Sequence, residues 1–433
     1  MLEYLRLENV GPAPSMEMEL APRLNLLTGD NGLGKSFLLD CAWWALARRW
    51  PHDVNSRLTS GYRAQPRDPK QAASIEYRVR SKKTIVSHKS EYVRAEQAWL
   101  GKQGRPPSPG LVIYAHADGG FSVWDPARNY WKSRAKSEEA ETLVPAFVFT
   151  QRDVWRGLSL KVNNEPFEVC LGLLKDWSTW IREDGKLAKQ MARTLASLAA
   201  PGEALTVGPL RPRSPNDPVS YPTISTVSET AVPVLLTSAG LRRIIALAYI
   251  LLWSWDRHVE FAEAQGLDRA SRVIFLFDEI EAHLHPRWQR SILGSLLQVT
   301  RNLHKDATVQ LIASTHSPLV LASAEPLFDP TQDAWFDLDL NKRTNIVELR
   351  RREFAAHGDA SRWLTSEAFD LEEARSLPAE EAIREAKRFA KGKKRTLAAA
   401  KAVDAKLRAA GLPDIDPFWV RWGYMMDELK GRA

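Results

Sequence analysis

The stretch from Leu24 to Leu39, LNLLTGDNGLGKSFLL, constrains the fold of this chain more than any other. An apolar run enters it, Gly29 is followed after four residues by Gly34-Lys35-Ser36, and Phe37-Leu38-Leu39 leaves it. That spacing predicts a strand, a glycine-rich loop and a helix in this order, which is a phosphate-binding P-loop. Glycines at 29, 32 and 34 let successive backbone N–H groups converge on one point, and the helix beyond adds the positive end of its dipole. Gly29, Asp30, Asn31, Gly32, Leu33, Gly34, Lys35, Ser36 and Phe37 are therefore the expected nucleotide cradle. In it Lys35 compensates β- and γ-phosphate charge and the Ser36 hydroxyl ligates Mg²⁺, so ATP and Mg²⁺ are the expected ligands. The Lys35 side chain is expected to point into a solvated loop.

Chemistry returns in the second half. RVIFLFDE, residues 272 to 279, has the form of a central parallel strand delivering two acids to the carboxyl edge of a sheet, where ligands bind. Asp278 is expected to hold the Mg²⁺ and Glu279 to polarise the attacking water; the plainer alternative is an N-cap for the next helix. A second buried strand, VQLIASTHSPL at 309 to 319, brings His316 to the same edge, where a lone histidine could equally be a satisfied polar residue. Ser238-Ala239-Gly240 precedes an apolar helix, so a hydroxyl and backbone N–H groups project from a helix start. This is either a second anion site or an ordinary cap. Lys35, Glu279 and His316 are the catalytic candidates.

The rest of the 433 residues is organised around these segments. LEYLRLENV and MEMEL alternate as two strands at a sheet edge, and Pro51 to about Ala73 reads as a loop. Period-two runs between residues 74 and 132 predict an inserted antiparallel β-lobe. AFVFTQRDVWRGL, from 146, looks like a return to the main sheet; Glu168 to Ala200 has helical spacing, and Pro201 to Pro233 is rich in Pro, Ser and Thr, predicting a mobile segment. The lobe of helices with its mobile segment spans 165–233. A formal charge of +7 favours an acidic partner only weakly, because Lys and Arg are scattered except around Lys391 to Arg395. Two cysteines, Cys41 and Cys170, make a disulfide framework implausible. The N-terminus lacks a signal pattern, and the apolar run Ile244 to Trp255 falls short of the roughly 18 to 20 residues that cross a bilayer, so a cytoplasmic protein without a membrane partner is expected.

The P-loop, Ser238-Ala239-Gly240, the Asp278-Glu279 pair and His316, in that order, resemble the ABC-type P-loop ATPases of the SMC, RecF and OLD-like group. The resemblance implies an α/β fold of ABC ATPase-head type, a mixed sheet with an inserted β-lobe and a helical lobe over residues 1–350. It implies a head-to-head dimer around two nucleotides, in which Ser238 and Gly240 act in trans, His316 is the switch histidine, and 280–289 is the loop through which subunits communicate. IEAHLHPRWQ in that loop is similar to OLD-like and defence-associated members. Gln151 is the candidate Q-loop glutamine, binding nucleotide and metal. The signature departs from transporter-like members in having Leu241-Arg242-Arg243, which leaves open whether an arginine joins the phosphate site. His283 and His285 beside Glu281 raise a zinc site as an alternative, with no matching ligands elsewhere.

After a β pair in AWFDLDLNKRTNIVELRR, residues 351–433 are expected to form a helical extension in place of the TOPRIM nuclease domain of OLD nucleases. Within it a helical stretch over 379–410 presents either a solvated or a docking face, and Phe418-Trp419-Trp422-Tyr424 either packs inward or anchors a partner. The reading is a dimerising ATPase that regulates a separate effector, such as a nuclease, in antiphage defence. Its rivals are a RecF-like DNA-repair ATPase, with DNA as partner, and a nucleotide-sensing scaffold with little turnover.

Overall fold

Residues 1–81, 84–101, 107–128, 146–162, 165–227, 230–299, 303, 307–369, 371–392 and 395–431 are described by the computed structural model of the chain. They divide into two units, Met1–Gly358 and Asp359–Ala433, so the break falls a few residues beyond the expected boundary at 350.

The first unit opens with β1 (Leu2–Val10) and β2 (Ala13–Glu19), an antiparallel pair, followed by β3 (Leu24–Gly29) and the P-loop helix α1 (Lys35–Ala47). A short α2 (Pro51–Val54) leads to β4 (Ser74–Arg80), β5 (Ile85–Val93), β6 (Ala98–Trp99), β7 (Leu111–Ala115) and β8 (Phe121–Trp124). These strands do not close into one inserted lobe. β4 to β6 extend the first pair into a five-stranded sheet ordered β2-β1-β4-β5-β6, while β7 and β8 enter an eight-stranded sheet. The two N-terminal strands are thus part of a separate sheet rather than an edge of the main one. Burial explains the division: β5 alternates exposed with covered residues, whereas every residue of β7 and β8 is buried and needs cover on both faces.

The chain continues through β9 (Phe147–Phe149), α3 (Gln151–Arg156), the hairpin β10 (Leu158–Val162) and β11 (Glu165–Cys170), then α4 (Leu173–Glu183) and α5 (Lys186–Leu198). The helical lobe therefore starts one strand later than its spacing suggested. The Pro-rich segment that follows is not without regular structure: β12 (Thr206–Pro212), β13 (Ser220–Ser225) and β14 (Val232–Pro233) form a three-stranded antiparallel sheet. A register shift between Gly208 and Arg211 leaves Pro209 and Pro222 out of the paired positions, so neither proline has to donate to the ladder.

Next come α6 (Ala239–Ala264), β15 (Arg272–Phe277), α7 (Pro286–Gln289), α8 (Ile292–Val299), β16 (Thr308–Ser314), α9 (Pro318–Ala324), β17 (Asp333–Asn341) and β18 (Ile346–Arg352). The large sheet runs β18-β17-β3-β16-β15-β7-β8-β9, and its core from β17 to β7 is parallel. α1 is apolar nearly all round because it lies between the two sheets, with Trp43, Trp44, Leu38 and Leu39 in one core with Leu5, Tyr77, Tyr114, Ile274 and Ile312. This is a mixed α/β fold in which a glycine-rich P-loop joins β3 to α1.

The second unit has α10 (Ala360–Leu364), α11 (Leu377–Lys391), α12 (Leu397–Ala409) and α13 (Phe418–Gly431). The expected 379–410 stretch is two helices, α11 ending at the Gly392 cap. Their apolar faces and Trp422 make a small core of Ile383, Ala386, Val403 and Leu407. Phe418 and Trp419 pack against that core, whereas Tyr424 is 77% exposed, so the aromatic cluster points in both directions. No described helix is long and apolar enough to cross a membrane.

Candidate functional site

Three adjacent parallel strands, β3, β16 and β15, end at one level. Leu27 pairs with Ser314 and Ala313 with Phe277, so Gly29, Thr315 and Asp278 emerge side by side at the carboxyl edge. The P-loop bends there because Gly29 (φ +128°) and Gly34 (φ +103°) have conformations that L side chains rarely take; a Cβ at Gly29 would lie 2.2 Å from the Leu338 carbonyl oxygen. α1 starts at Gly34 with no side-chain cap, which leaves its first N–H groups for a ligand.

Lys35 is not in solvent. It is 5% exposed, and its ammonium donates to the Gly29 and Asp30 carbonyls at 2.7 and 2.8 Å. The side chain folds over its own loop, and of its three N–H donors one remains for an anion. Burial pushes its pKa down, while the carboxylates of Asp278, Asp30, Glu279 and Glu281 hold it up. Those opposing effects identify Lys35 as the cation facing the acids of the neighbouring strand ends.

Asp278 is 4% exposed and its Oδ1 accepts from the Ser314 hydroxyl at 2.6 Å; that hydroxyl in turn accepts from the Glu279 backbone N–H at 2.8 Å. Ser314 was passed over in the sequence, although its place at the end of a buried strand beside Thr315 and His316 is the signal that would have found it. Glu279 has φ +48°, a left-handed conformation that costs a non-glycine residue about 1–3 kcal/mol and must be held by its surroundings. Arg243 supplies much of the hold. Its guanidinium, on the second turn of α6, donates to the carbonyls of Ala117 (3.1 Å), Asp278 (2.9 Å) and Glu279 (3.2 Å). The open question about the signature arginines is answered for this one: Arg243 is buried under the acids, committed to three carbonyls, and Arg242 is exposed. No helix begins at Asp278 or Glu279, since α7 starts at Pro286, so the capping alternative falls.

The donor set suits Mg²⁺. Among the described residues no donor reaches Asp278 Oδ2 or engages the Ser36 hydroxyl, and such oxygens are the hard ligands this ion takes. His316, half-buried at the same edge, has its imidazole pKa pushed down first by burial and then by the Lys35 cation, against the pull of Glu281, Glu279 and Asp278. It is therefore mostly neutral at pH 7.

Three expected ligands are not brought to this point. Gln151 follows β9, the edge strand, which is five strand steps from β3, roughly 24 Å at about 4.8 Å per step. The cavity it lines holds Asp118, Phe121, Arg243 and His283 but no P-loop residue. The local sequence, an apolar run followed by a glutamine, gave no sign that FVF would pair at the sheet's edge. Ser238 and Gly240 likewise face a different cavity, with Leu205, His283, His285 and Trp288 in its wall. Ser238 caps α6 through its hydroxyl, 3.3 Å from the Leu241 N–H. Gly240 presses on the loop after β15: a Cβ there would fall 2.5 Å from the His283 carbonyl oxygen.

Comparison with known proteins agrees with this reading at the level of motifs. Residues 228–322 match the family model described as "AAA domain, putative AbiEii toxin, Type IV TA system". Over 50 residues the chain is 48% identical to the "Retron Vc95 probable ATPase" of Vibrio cholerae serotype O1 biovar El Tor, and over 84 residues it is 38% identical to the "Septu protein PtuA" of Bacillus mycoides (strain KBAB4). The stretches cover 12% and 19% of this chain and span only 9% and 10% of those proteins' own lengths. Among solved structures it superimposes on an SMC head bound to the C-winged helix domain of ScpA (12% identity, 81% of this chain and 97% of that one, TM-score 0.42) and on the recombination mediator RecF (11%, 81% and 98%, TM-score 0.36). Scores of this size add nothing to the fold assignment, which rests on the strand order above. The family match is thus confined to residues 228–322, and the chain spans about a tenth of the length of the two relatives it matches.

Proposed function

We propose that the chain binds and hydrolyses ATP, closing as a head-to-head dimer around two nucleotides, and that the bound state of this dimer regulates a separate effector, such as a nuclease, in antiphage defence. The observation that carries the reading is the juxtaposition, on three neighbouring strand ends, of a buried lysine, two acids and a histidine around a glycine loop.

In this reading the P-loop amides and the start of α1 bind the phosphates, and Lys35 lends its remaining N–H to the β- and γ-oxygens. Ser36 and Asp278 would hold Mg²⁺, which when bound neutralises charge on the phosphates. Glu279 orients the water and takes its proton; its left-handed backbone, fixed by Ser314 and Arg243, aims the carboxylate. His316 serves as a neutral hydrogen-bonding partner at the γ-phosphate. Ser238 and the N–H groups behind it, lying apart from the P-loop of their own chain, are offered to a second subunit. Names of the partly matching relatives, a retron ATPase and a Septu protein, are the support for a defence role.

Glu279→Gln tests the core of the proposal. Mg²⁺·ATP binding should persist while turnover drops on the order of 10² to 10⁴-fold, as for loss of a general base. ATP should then hold the variant in a larger, closed assembly, visible by light scattering. Near wild-type turnover with no ATP-dependent change in mass would remove both the base and the dimer.

A further inference from the structure

Glu281 sits two residues beyond Glu279, and nothing above gives it a part in catalysis. Both of its carboxylate oxygens are spent on the neighbouring loop: Oε2 accepts from the Thr315 hydroxyl at 2.7 Å and Oε1 from the His316 backbone N–H at 2.6 Å. Bonds to an ionised acceptor at these lengths are among the stronger ones a protein makes. With both oxygens engaged, the side chain is not free to join His283 and His285 around a metal.

The loop after β15 grips the loop after β16 at two further points. The Ile280 N–H donates to the Ser314 carbonyl at 3.1 Å, and Gln289 accepts from the Ser317 hydroxyl at 2.7 Å while donating to the Leu284 carbonyl at 2.9 Å. The first of these only prolongs the strand pairing, which any residue would do. The second holds a hydroxyl that also caps α9. Glu281 alone among the three takes the amide of His316 itself. The chemistry of the site also explains why the residue is an acid: two donors converge on it, and a glutamine would present one acceptor and turn an N–H₂ group toward the other donor.

We propose that Glu281 is the positioning residue of His316. It fixes the backbone from which the imidazole projects and ties that backbone to the chain just after Glu279, so that a displacement of the 280–289 loop is delivered to the histidine. The inference rests on the hydrolase reading given above, and it adds the connection by which a loop expected to meet the second subunit sets the geometry of the site.

Steady-state ATP turnover of a double-mutant cycle, with hydrogen exchange of the same proteins, tests it. Glu281→Gln should lower kcat about 10- to 100-fold, the range expected when a reacting group shifts by about 1 Å, with KM for ATP changed less than about threefold. In a His316→Ala background the same substitution should leave kcat unchanged, because the group it positions is gone. Glu281→Asp, which keeps two acceptors on a shorter stem, should recover part of the loss. Multiplicative effects of the two substitutions would overturn the proposal, as would a Glu281→Gln chain that no longer folds, for the residue would then be structural. Exchange at the His316 amide should accelerate at least about tenfold in Glu281→Gln while P-loop peptides stay as they were. Unchanged exchange overturns the proposal whether or not ATP is hydrolysed; accelerated exchange in a protein whose wild type shows no turnover defeats the hydrolase reading alone.

Discussion

Two helix N-termini meet the carboxyl edge of this sheet, and they are built in opposite ways. α1 begins at a glycine without a side-chain cap and is followed at once by Lys35, so its N–H groups and a cation wait for an anion. α6 begins at Ser238, which already satisfies its own Leu241 N–H, and Ser238, Ala239 and Arg242 are exposed there. Their second turns differ as well. α1 carries an acid, Asp40, largely enclosed and bonded by the Tyr114 hydroxyl at 2.9 Å; α6 carries the buried Arg243 under the Asp278 and Glu279 carbonyls. One helix start is uncapped and has a cation beside it, which suits the phosphate site proposed for it. The other is a capped, accessible end mechanically joined to the acids, which suits a surface that reports closure.

The widest separation between the two should come from Lys35→Ala. Loss of the ammonium leaves phosphate charge uncompensated and frees the Gly29 and Asp30 carbonyls, so affinity for a fluorescent ATP analogue should fall about 100-fold or more. The melting temperature should change little, because removal of a desolvated cation offsets the two lost bonds. Unchanged affinity in a folded variant would abolish the distinction between the helices along with the P-loop assignment.

Ser238→Arg tests the other side. A bulky cation at the exposed start of α6 should block closure and turnover while ATP affinity at the chain's own P-loop stays within about threefold of wild type, since no P-loop residue lines the Ser238 cavity. Mixed one to one with Lys35→Ala, it should regain about a quarter of wild-type turnover if one intact pair can fire alone, since half of the dimers are mixed and each has one such pair. A fully active Ser238→Arg homomer would sink catalysis in trans and leave a P-loop ATPase of another kind.

What could be read without coordinates followed from how local each feature is. Gly29, Gly34 and Lys35 lie within seven residues and dictate a loop by themselves, and the apolar runs before Asp278 and His316 announce buried strands by composition. The place of Gln151 depends on sheet order: FVF pairs with β8 at the far edge, a long-range choice that no window of sequence contains. The inserted lobe was not legible for the same long-range reason: its period-two strands could be read while their division between two sheets could not. Ser314 escaped notice, and the roles of Arg243 and Glu281 stayed open, because each acts on backbone carbonyls or amides some 35 residues away in the chain. Prolines at 209 and 222 argued against strands, and only the register shift beside them shows how the sheet accommodates both.

The smallest expected effect probes the second turns. Asp40 has its pKa pushed up to about 8, first by burial and then by the charges of Asp278 and Asp118, against the pull of the Tyr114 hydroxyl and the Gly61 N–H. An unfolded aspartate titrates near 3.9. Between about pH 4 and pH 8 the folded chain therefore keeps a proton that the unfolded chain has lost, and this group's contribution to stability falls as pH rises through that window and levels off above it. Asp40→Asn copies the neutral carboxyl and has no proton to lose, so the decline should flatten. Melting temperatures at pH 5 and pH 8 should differ by a few degrees less in the variant than in wild type. A matching decline in both proteins would mean that Asp40 is ionised in the fold, and that α1, like α6, answers the acids at the strand ends with a charge rather than with a neutral group.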